Sequence, residues 1–388
     1  MKLEISSLNS FLEHKTMYYD KIDFSFVKEA FSILEKQIKI PKTIHIVGTN
    51  GKGSTGRFLA YYLFKKGYKV LHYSSPHILK FNERIWINGL DVSDGLLDKA
   101  HNFLQKIYND ELLQKLTYFE YTTLLALYLS KDCDFLVLEA GLGGEFDATN
   151  VVKNNLSLIT TIGLDHTDFL GNSIEDISQT KMRSVDTKMI VGYQEFKSVE
   201  EVAYKVKDDL KKELNKDIEV RVLKEFDKYK LDSSFASYLK RNLHLVIACL
   251  EELKIDIDLF LFKNTPLFGR CQKIAHNITI DVGHNPLAAK AIVGEFKDKK
   301  IILIYNSYKD KDFKEVLTIL KPIIKEIFII DLEDKRVVKK DILKQVIKEL
   351  NLQQIDKLTL DEKSEYLVFG SFLVVEKFLG LINYEAQS

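Results

Sequence analysis

The run Gly48-Thr49-Asn50-Gly51-Lys52-Gly53-Ser54-Thr55 carries the clearest chemical signal in the chain. It follows the short β-type stretch Thr43 to Val47 and opens a helical stretch, Thr55 to Lys66. A strand, a glycine loop and a helix in that order aim backbone N–H groups at an anion, and the helix N-terminus adds about half a positive charge. Lys52 is placed to reach the outer phosphates of a nucleotide, while Asn50, Gly51, Gly53 and Ser54 line the loop. The fit to the common pattern G-x-x-x-x-G-K-[ST] is imperfect. Position 46 is Ile46, position 53 is Gly53, and the hydroxyl comes one residue late, at Ser54. Alone, the loop predicts phosphate binding and no particular reaction.

Alternating strands and helices must hold such a loop in place. Strands are predicted at Lys69 to Tyr73, Phe135 to Leu138 and Leu156 to Ile162, with a mostly apolar helix over Phe119 to Lys131. Strands apolar on both faces and separated by helices indicate a parallel sheet covered on both sides. Glu195 to Lys230 is rich in lysine and glutamate and reads as solvated helical faces; Ser237 to Leu253 reads as one amphipathic helix. A second α/β series begins near Lys273, with strands at Ile278 to Asp281, Ile301 to Tyr305, Ile327 to Ile330 and Tyr366 to Phe369. A chain of 388 residues exceeds the usual size of one core. Two domains are expected, 1–268 and 273–388.

Lys+Arg and Asp+Glu both number 56, so net charge gives no reason to expect a nucleic-acid or anionic-membrane partner. Cys133, Cys249 and Cys271 lack metal-type spacing and read as reduced thiols. No apolar run approaches the 18 or so residues of a membrane span, and Met1 to Ser7 lacks the apolar core of a signal peptide. A cytoplasmic enzyme is the expectation. His14, His45, His72, His101, His244 and His276 read as packing or surface residues.

Further motifs, in order, resemble folylpolyglutamate synthase/dihydrofolate synthase, a branch of the Mur-type amide ligases. That family's strand ending in G-T-N-G-K-G-S matches Gly48 to Ser54, and its S-P-H-L and F-N-E-R-I-x-I-N-G segments match Ser75-Pro76-His77-Ile78 and Phe81 to Gly89. Thr117-Tyr118-Phe119-Glu120, Leu138 to Gly144, Phe146 to Val152 and Ile162 to Gly171 continue the likeness. Arg241-Asn242, Phe268-Gly269-Arg270, Asp281 to Pro286, Lys309 to Asp312 and Gly370-Ser371-Phe372 extend it to about residue 380.

The resemblance implies an N-terminal P-loop ATPase-type domain with a parallel-rich sheet and a smaller C-terminal Rossmann-like α/β domain. It implies ATP-dependent joining of L-glutamate to dihydropteroate or to folates through an acyl phosphate, a job of positioning and charge neutralisation. Mg2+, as two ions, is implied, with Ser75, Glu139 and His166 as ligands. Glu139 also ends a buried strand, where an unpaired carboxylate would be costly. Lys181 corresponds to a lysine that CO2 converts to N6-carboxylysine, a further metal ligand; here Thr180 and Met182-Arg183-Ser184 replace the usual flanking residues. Asn242, Arg270 and Asp281 are implied ATP contacts, and Arg270 can hold a phosphate in two-point fashion. His284 joins Lys52 and Lys181 as a catalytic candidate without a stated role.

Acceptor recognition is assigned to Thr117, Tyr118, Phe119 and Glu120 and to the turn Phe146-Asp147. Where the family commonly has arginine, this chain has Glu145, a sign change beside that turn. Two other readings are a related Mur-type ligase for a different carboxylate and a nucleotide-switch ATPase. The Ser75 to Gly89 and Thr117 to Glu120 segments argue against the first. Asn215-Lys216-Asp217-Ile218 does not fit the guanine-binding N-K-x-D, which argues against a GTPase switch. A monomer with small-molecule substrates only completes the expectation.

Overall fold

The computed structural model describes residues 7–16, 23–224 and 229–384. They fall into two compact units, one comprising residues up to 230 with 241–265, the other 231–240 with 266–388.

The first unit is built on an eight-stranded sheet. Its strands are β1 (Lys42–Val47), β2 (Val70–Tyr73), β3 (Ile85–Ile87), β4 (Leu90–Asp91), β5 (Phe135–Glu139), β6 (Leu156–Ile159), β7 (Lys188–Val191) and β8 (Glu219–Val222). The order is β4-β3-β2-β5-β1-β6-β7-β8. Neighbours from β2 to β8 are parallel, and β3 and β4 are antiparallel additions at one edge. The central strands are buried along their length, as continuous apolar runs in a doubly covered sheet require. One core face joins Leu71, Tyr73, Leu136 and Leu138 to Tyr121, Leu124 and Leu125 of the helix Tyr118–Leu129. The other joins Val47, Ile159 and Val191 to Ile177, Val202 and Val206.

The helices that matter for the site are α1 (Lys52–Lys65), α2 (Tyr118–Leu129), α3 (Thr167–Leu170), α4 (Ile174–Met182), α5 (Ser198–Leu214) and α6 (Ser237–Leu253). Helix α1 starts three residues earlier than its apolar pattern suggests, because Gly51, at φ 93°, turns the chain directly into it.

Three local differences from the sequence reading have physical reasons. The strand expected over Leu156 to Ile162 ends at Ile159, because the Thr161 carbonyl leaves the ladder to accept the N–H groups of Thr49 and Asn50 at 3.0 and 3.1 Å. The charged segment Glu195 to Lys230 holds α5 and then the edge strand β8, whose single paired side leaves charged residues in water. The β3–β4 hairpin escaped notice although Asn88-Gly89, with φ of 48° and 104°, is the dipeptide that tight hairpins favour.

The second unit carries six strands: β9 (Gln272–Ala275), β10 (Ile278–Asp281), β11 (Ile301–Tyr305), β12 (Ile324–Ile329), β13 (Gln354–Ile355) and β14 (Glu365–Phe369). Their order is β13-β12-β11-β14-β10-β9, parallel except for edge strand β9. The α/β architecture, with a parallel-rich first sheet and a smaller second α/β unit, is as expected. No described helix is long and apolar enough to cross a membrane.

Candidate active site

Parallel sheets present their ligand-binding loops at the carboxyl ends of the strands. In the first unit four adjacent strands, β2, β5, β1 and β6, end in Ser75, Glu139, the glycine loop and the segment leading to His166.

The loop is held by close packing that only glycine permits. A Cβ on Gly48 would lie 1.9 Å from Thr160 Oγ1, and one on Gly51 would lie 2.6 Å from Asn242 Oδ1. Gly51 sits before α1 without a side-chain cap, which leaves the first N–H groups of the helix to a ligand. The Lys52 ammonium donates to the Gly48 and Thr49 carbonyls at 3.2 and 3.3 Å. Asn242 Nδ2 donates to Ser54 Oγ at 2.9 Å, and Ser54 donates to the Gly51 carbonyl at 3.1 Å. Asn242 is therefore packed against the glycine loop. Thr49 Oγ1 ties the loop to the next strand, donating to the Gly163 carbonyl at 2.9 Å and accepting from the Gly163 N–H at 3.1 Å.

Glu139 is 5% exposed at the end of β5 and accepts from the Ser75 N–H at 3.4 Å through Oε2. His166, at φ 51°, starts the short helix α3; its ring is partly exposed with Nε2 4.0 Å from Asp165 Oδ1. Hydroxyl, carboxylate and imidazole are thus available from the three expected metal residues. An oxygen-rich set with a buried carboxylate fits a hard divalent cation. Lys181 lies at the last turn of α4, 5% exposed. Burial first, and the neighbouring Lys52 charge second, lower its pKa from 10.5 to about 7 against the opposing pull of Asp165 and Asp147. Lys181 therefore shares its electrostatic surroundings with Lys52, Asp165 and Asp147, while Ser75 is joined to Glu139.

The expected acceptor residues divide into two kinds. Thr117 and Glu120 form a capping box for α2: Glu120 Oε2 accepts from the Thr117 N–H at 2.8 Å and hydroxyl at 2.9 Å, and Thr117 Oγ1 accepts the Glu120 N–H at 3.3 Å. Asp147 is similarly engaged, with Oδ2 accepting the Leu142 N–H and Oδ1 the Thr149 N–H and hydroxyl. Burial raises its pKa. Phe119 packs where a Cβ on Gly141 would be and stacks on Tyr73 at 5.8 Å, while Phe146 is 54% exposed.

Sequence reading missed Arg84. Its guanidinium is buried, donates to His77 Nδ1 at 2.8 Å and lies 5.2 Å over the Tyr118 ring. Among the described residues no carboxylate pairs with it. A buried arginine is seldom left without an anion, but the segment Phe81-Asn82-Glu83-Arg84-Ile85 does not itself reveal the burial. Burial first, then the Arg84 charge, lowers the His77 pKa to about 4. His77 is thereby kept neutral and able to accept.

In the second unit, Asp281 ends β10. Its Oδ2 accepts the Tyr238 hydroxyl and the Cys271 N–H, each at 2.8 Å, and its Oδ1 accepts the Gly283 N–H at 2.7 Å. Arg270 lies 5.1 Å over Phe372. His284 Nδ1 is 3.1 Å from the Val282 carbonyl, and Asn285 caps the following helix, α7 (Pro286–Val293). Tyr238, another residue the sequence did not point to, holds Asp281 in place.

Known proteins resemble this chain in sequence and fold. Residues 46–222 match the Mur ligase middle domain. The dihydrofolate synthase/folylpolyglutamate synthase of Haemophilus influenzae is 30% identical, over 96% of this chain and 96% of its own. A crystal structure of Helicobacter pylori folylpolyglutamate synthetase is 38% identical with a TM-score of 0.76, covering 98% of this chain and 100% of that one. The bifunctional folylpolyglutamate synthase/dihydrofolate synthase of Yersinia pestis, complexed with AMPPNP and Mn ion, is 26% identical with a TM-score of 0.81, covering 97% of each chain. With 30% identity to such a relative over 96% of each chain, the chain belongs to the dihydrofolate synthase/folylpolyglutamate synthase family.

Proposed function

We propose that one site in this chain serves both reactions of its family, addition of L-glutamate to dihydropteroate and extension of folate (poly)glutamates. The chain is an ATP-dependent acid–amino-acid ligase. Its task is to turn a carboxylate into an acyl phosphate and let the glutamate amine displace the phosphate. The observation that supports the residue assignment is that the glycine loop, Ser75 and Glu139 follow the ends of adjacent parallel strands, with the buried Lys181 in electrostatic contact with Lys52.

In this reading the loop N–H groups and Lys52 hold the outer phosphates, and Lys52 follows the charge as it moves to the transferred group. Asn50, Gly51, Gly53 and Ser54 shape the cradle, Asn242 keeps it in register, and Arg270 and Asp281 contribute nucleotide contacts. ATP and a divalent ion are the cofactors, as in the Yersinia pestis relative with AMPPNP and Mn. Ser75, Glu139 and His166 would hold Mg2+, as two ions, which neutralises phosphoryl charge when bound. An amine with a pKa near 7 has a large neutral fraction at physiological pH, so Lys181 is suited to react with CO2 and become N6-carboxylysine. Phe119, Tyr118 and Phe146 offer flat apolar surface for the pterin. Thr117, Glu120 and Asp147 act by fixing the backbone around it. His284 lies at the mouth of β10 as the catalytic candidate of the second unit. Residues 1–268 are assigned to ATP binding and 273–388 to the ligase domain. A cytoplasmic monomer without nucleic-acid or membrane partners accords with the balanced charge.

The deciding assay follows ADP release with dihydropteroate and with tetrahydrofolate side by side. Release should require both an acceptor and L-glutamate, and either acceptor should suffice. Turnover without glutamate would defeat the assignment, and response to one acceptor alone would remove the dual activity.

Arg84 is assigned to the acceptor's carboxylate end. Arg84→Ala should raise the acceptor KM by about tenfold or more, since a charged hydrogen bond is worth roughly 1.5–3 kcal/mol. The KM for ATP should not move. Arg84→Lys keeps the charge and should recover part of the loss; an unchanged acceptor KM in both variants excludes the role.

A further inference from the structure

Glu145 and Arg183 both stand at positions where this chain departs from its family's motifs. In the structure they are partners. Arg183 Nε donates to Glu145 Oε1 at 2.9 Å, and Arg183 Nη2 donates to Glu213 Oε2, also at 2.9 Å. Arg183 is only 16% exposed and Glu145 26%. The hydrogen bonds to Glu145 and Glu213 raise the arginine pKa.

The pair closes a seam between two pieces of the site. On one side is the glycine-rich turn 141–147, which follows Glu139 and ends in Phe146 and Asp147. On the other is the end of α4, where Lys181 stands two residues before Arg183. The Glu145 N–H donates to the Thr180 carbonyl at 3.0 Å. Gly144 lies so close that a Cβ there would be 2.5 Å from the Lys181 carbonyl oxygen, which also accepts the Ser184 hydroxyl at 2.8 Å. Asn150 Nδ2 fixes the Glu145 carbonyl at 2.9 Å. Backbone and side chain of Glu145 thus both engage α4 or its C-terminal cap.

We infer that Arg183 and Glu145 are positioning residues that lock the turn 141–147 onto the end of α4, fixing Lys181 relative to Glu139. Glu145 is spent on Arg183 and does not face the acceptor. This rests on the reading of Lys181 given above. A misplacement of about 1 Å at a reacting centre can cost up to a hundredfold in rate, so the lock matters to turnover even though neither residue touches substrate.

A double-mutant cycle tests it, using Glu145→Gln, Arg183→Gln and the double variant, each checked for fold by thermal unfolding and for nucleotide binding. Two residues working as one unit lose the same function when either goes. Each single variant and the double should therefore show the same loss in kcat, about tenfold, with acceptor KM unchanged. Arg183→Lys keeps one charged bond to Glu145 and should recover most of kcat. Carbamate formation at the lysine, read by NMR after adding 13C-labelled bicarbonate without substrates, should fall in step with kcat. Additive losses, or a change confined to acceptor KM in the Glu145 variant, would overturn the inference; the second result would assign Glu145 to the acceptor. Lys181→Ala run beside the cycle reads the underlying assignment separately. Full activity there removes Lys181 from the mechanism whatever the cycle shows.

Discussion

Lys52→Ala is expected to lower kcat by about two to three orders of magnitude while leaving the fold intact. The estimate follows from the cost of removing one preorganised charge from a phosphoryl-transfer site, on the order of 3–4 kcal/mol. The fold should survive because, among the described residues, the Lys52 ammonium bonds to the loop's own carbonyls, Gly48 and Thr49, and these can turn to water. A second effect separates this charge role from mere loop damage. Lys52 is one of the causes that hold the Lys181 pKa down. Its removal should raise that pKa, and Lys181 should then react more slowly with an amine-directed acylating reagent near pH 7. Retained ligation in Lys52→Ala, or unchanged Lys181 reactivity, would count against the shared site.

The second large effect is at Lys181 itself. Lys181→Ala should lose at least about a hundredfold in kcat, since a ligand-bearing group leaves a buried, charged site. In the wild type, CO2-depleted buffer should slow the enzyme and bicarbonate should restore it. At constant CO2, activity should rise with pH through about 7, because only the neutral amine can add CO2. The sign for stability is the same. The folded-state pKa lies below the unfolded value, so between about 7 and 10.5 the unfolded chain holds a proton that the folded chain has released. Stability of the ligand-free protein from this group therefore rises with pH across that window and is lowest below it. A thermal midpoint that falls from pH 7 to 9 in wild type relative to Lys181→Ala would contradict the assignment.

Much of this site is legible in the sequence because its parts are local. The glycine loop reads from spacing alone, since strand, turn and helix are consecutive. Glu139 reads from its place at the end of an apolar run. Thr117 and Glu120 are equally visible, but as the helix-capping pattern [ST]-x-x-E rather than as substrate contacts, and the structure shows their polar atoms committed to that cap. What does not read is whatever depends on distant partners. Glu145 looks like a sign error beside a substrate turn until Arg183, 38 residues later, is found against it. Tyr238 gives no hint of Asp281, 43 residues on. Arg84 is hidden differently: nothing in its segment says that the guanidinium is buried.

The row of loops at the ends of β2, β5, β1 and β6 has an evolutionary consequence. Spacing between the strand ends from which Ser75, Glu139, the glycine loop and the His166 segment continue is set by the hydrogen-bond ladder, at about 4.8 Å per strand, and not by the crossover segments between them. In the chain those groups are separated by dozens of residues, in an order that differs from their order across the sheet. Insertions and deletions in the parts of those crossovers that carry no site residue can therefore accumulate without altering the distances on which the chemistry depends. Lineages are free to lengthen, shorten or recharge the covering helices, while a single-residue slip inside any of those four strands is lethal to the site.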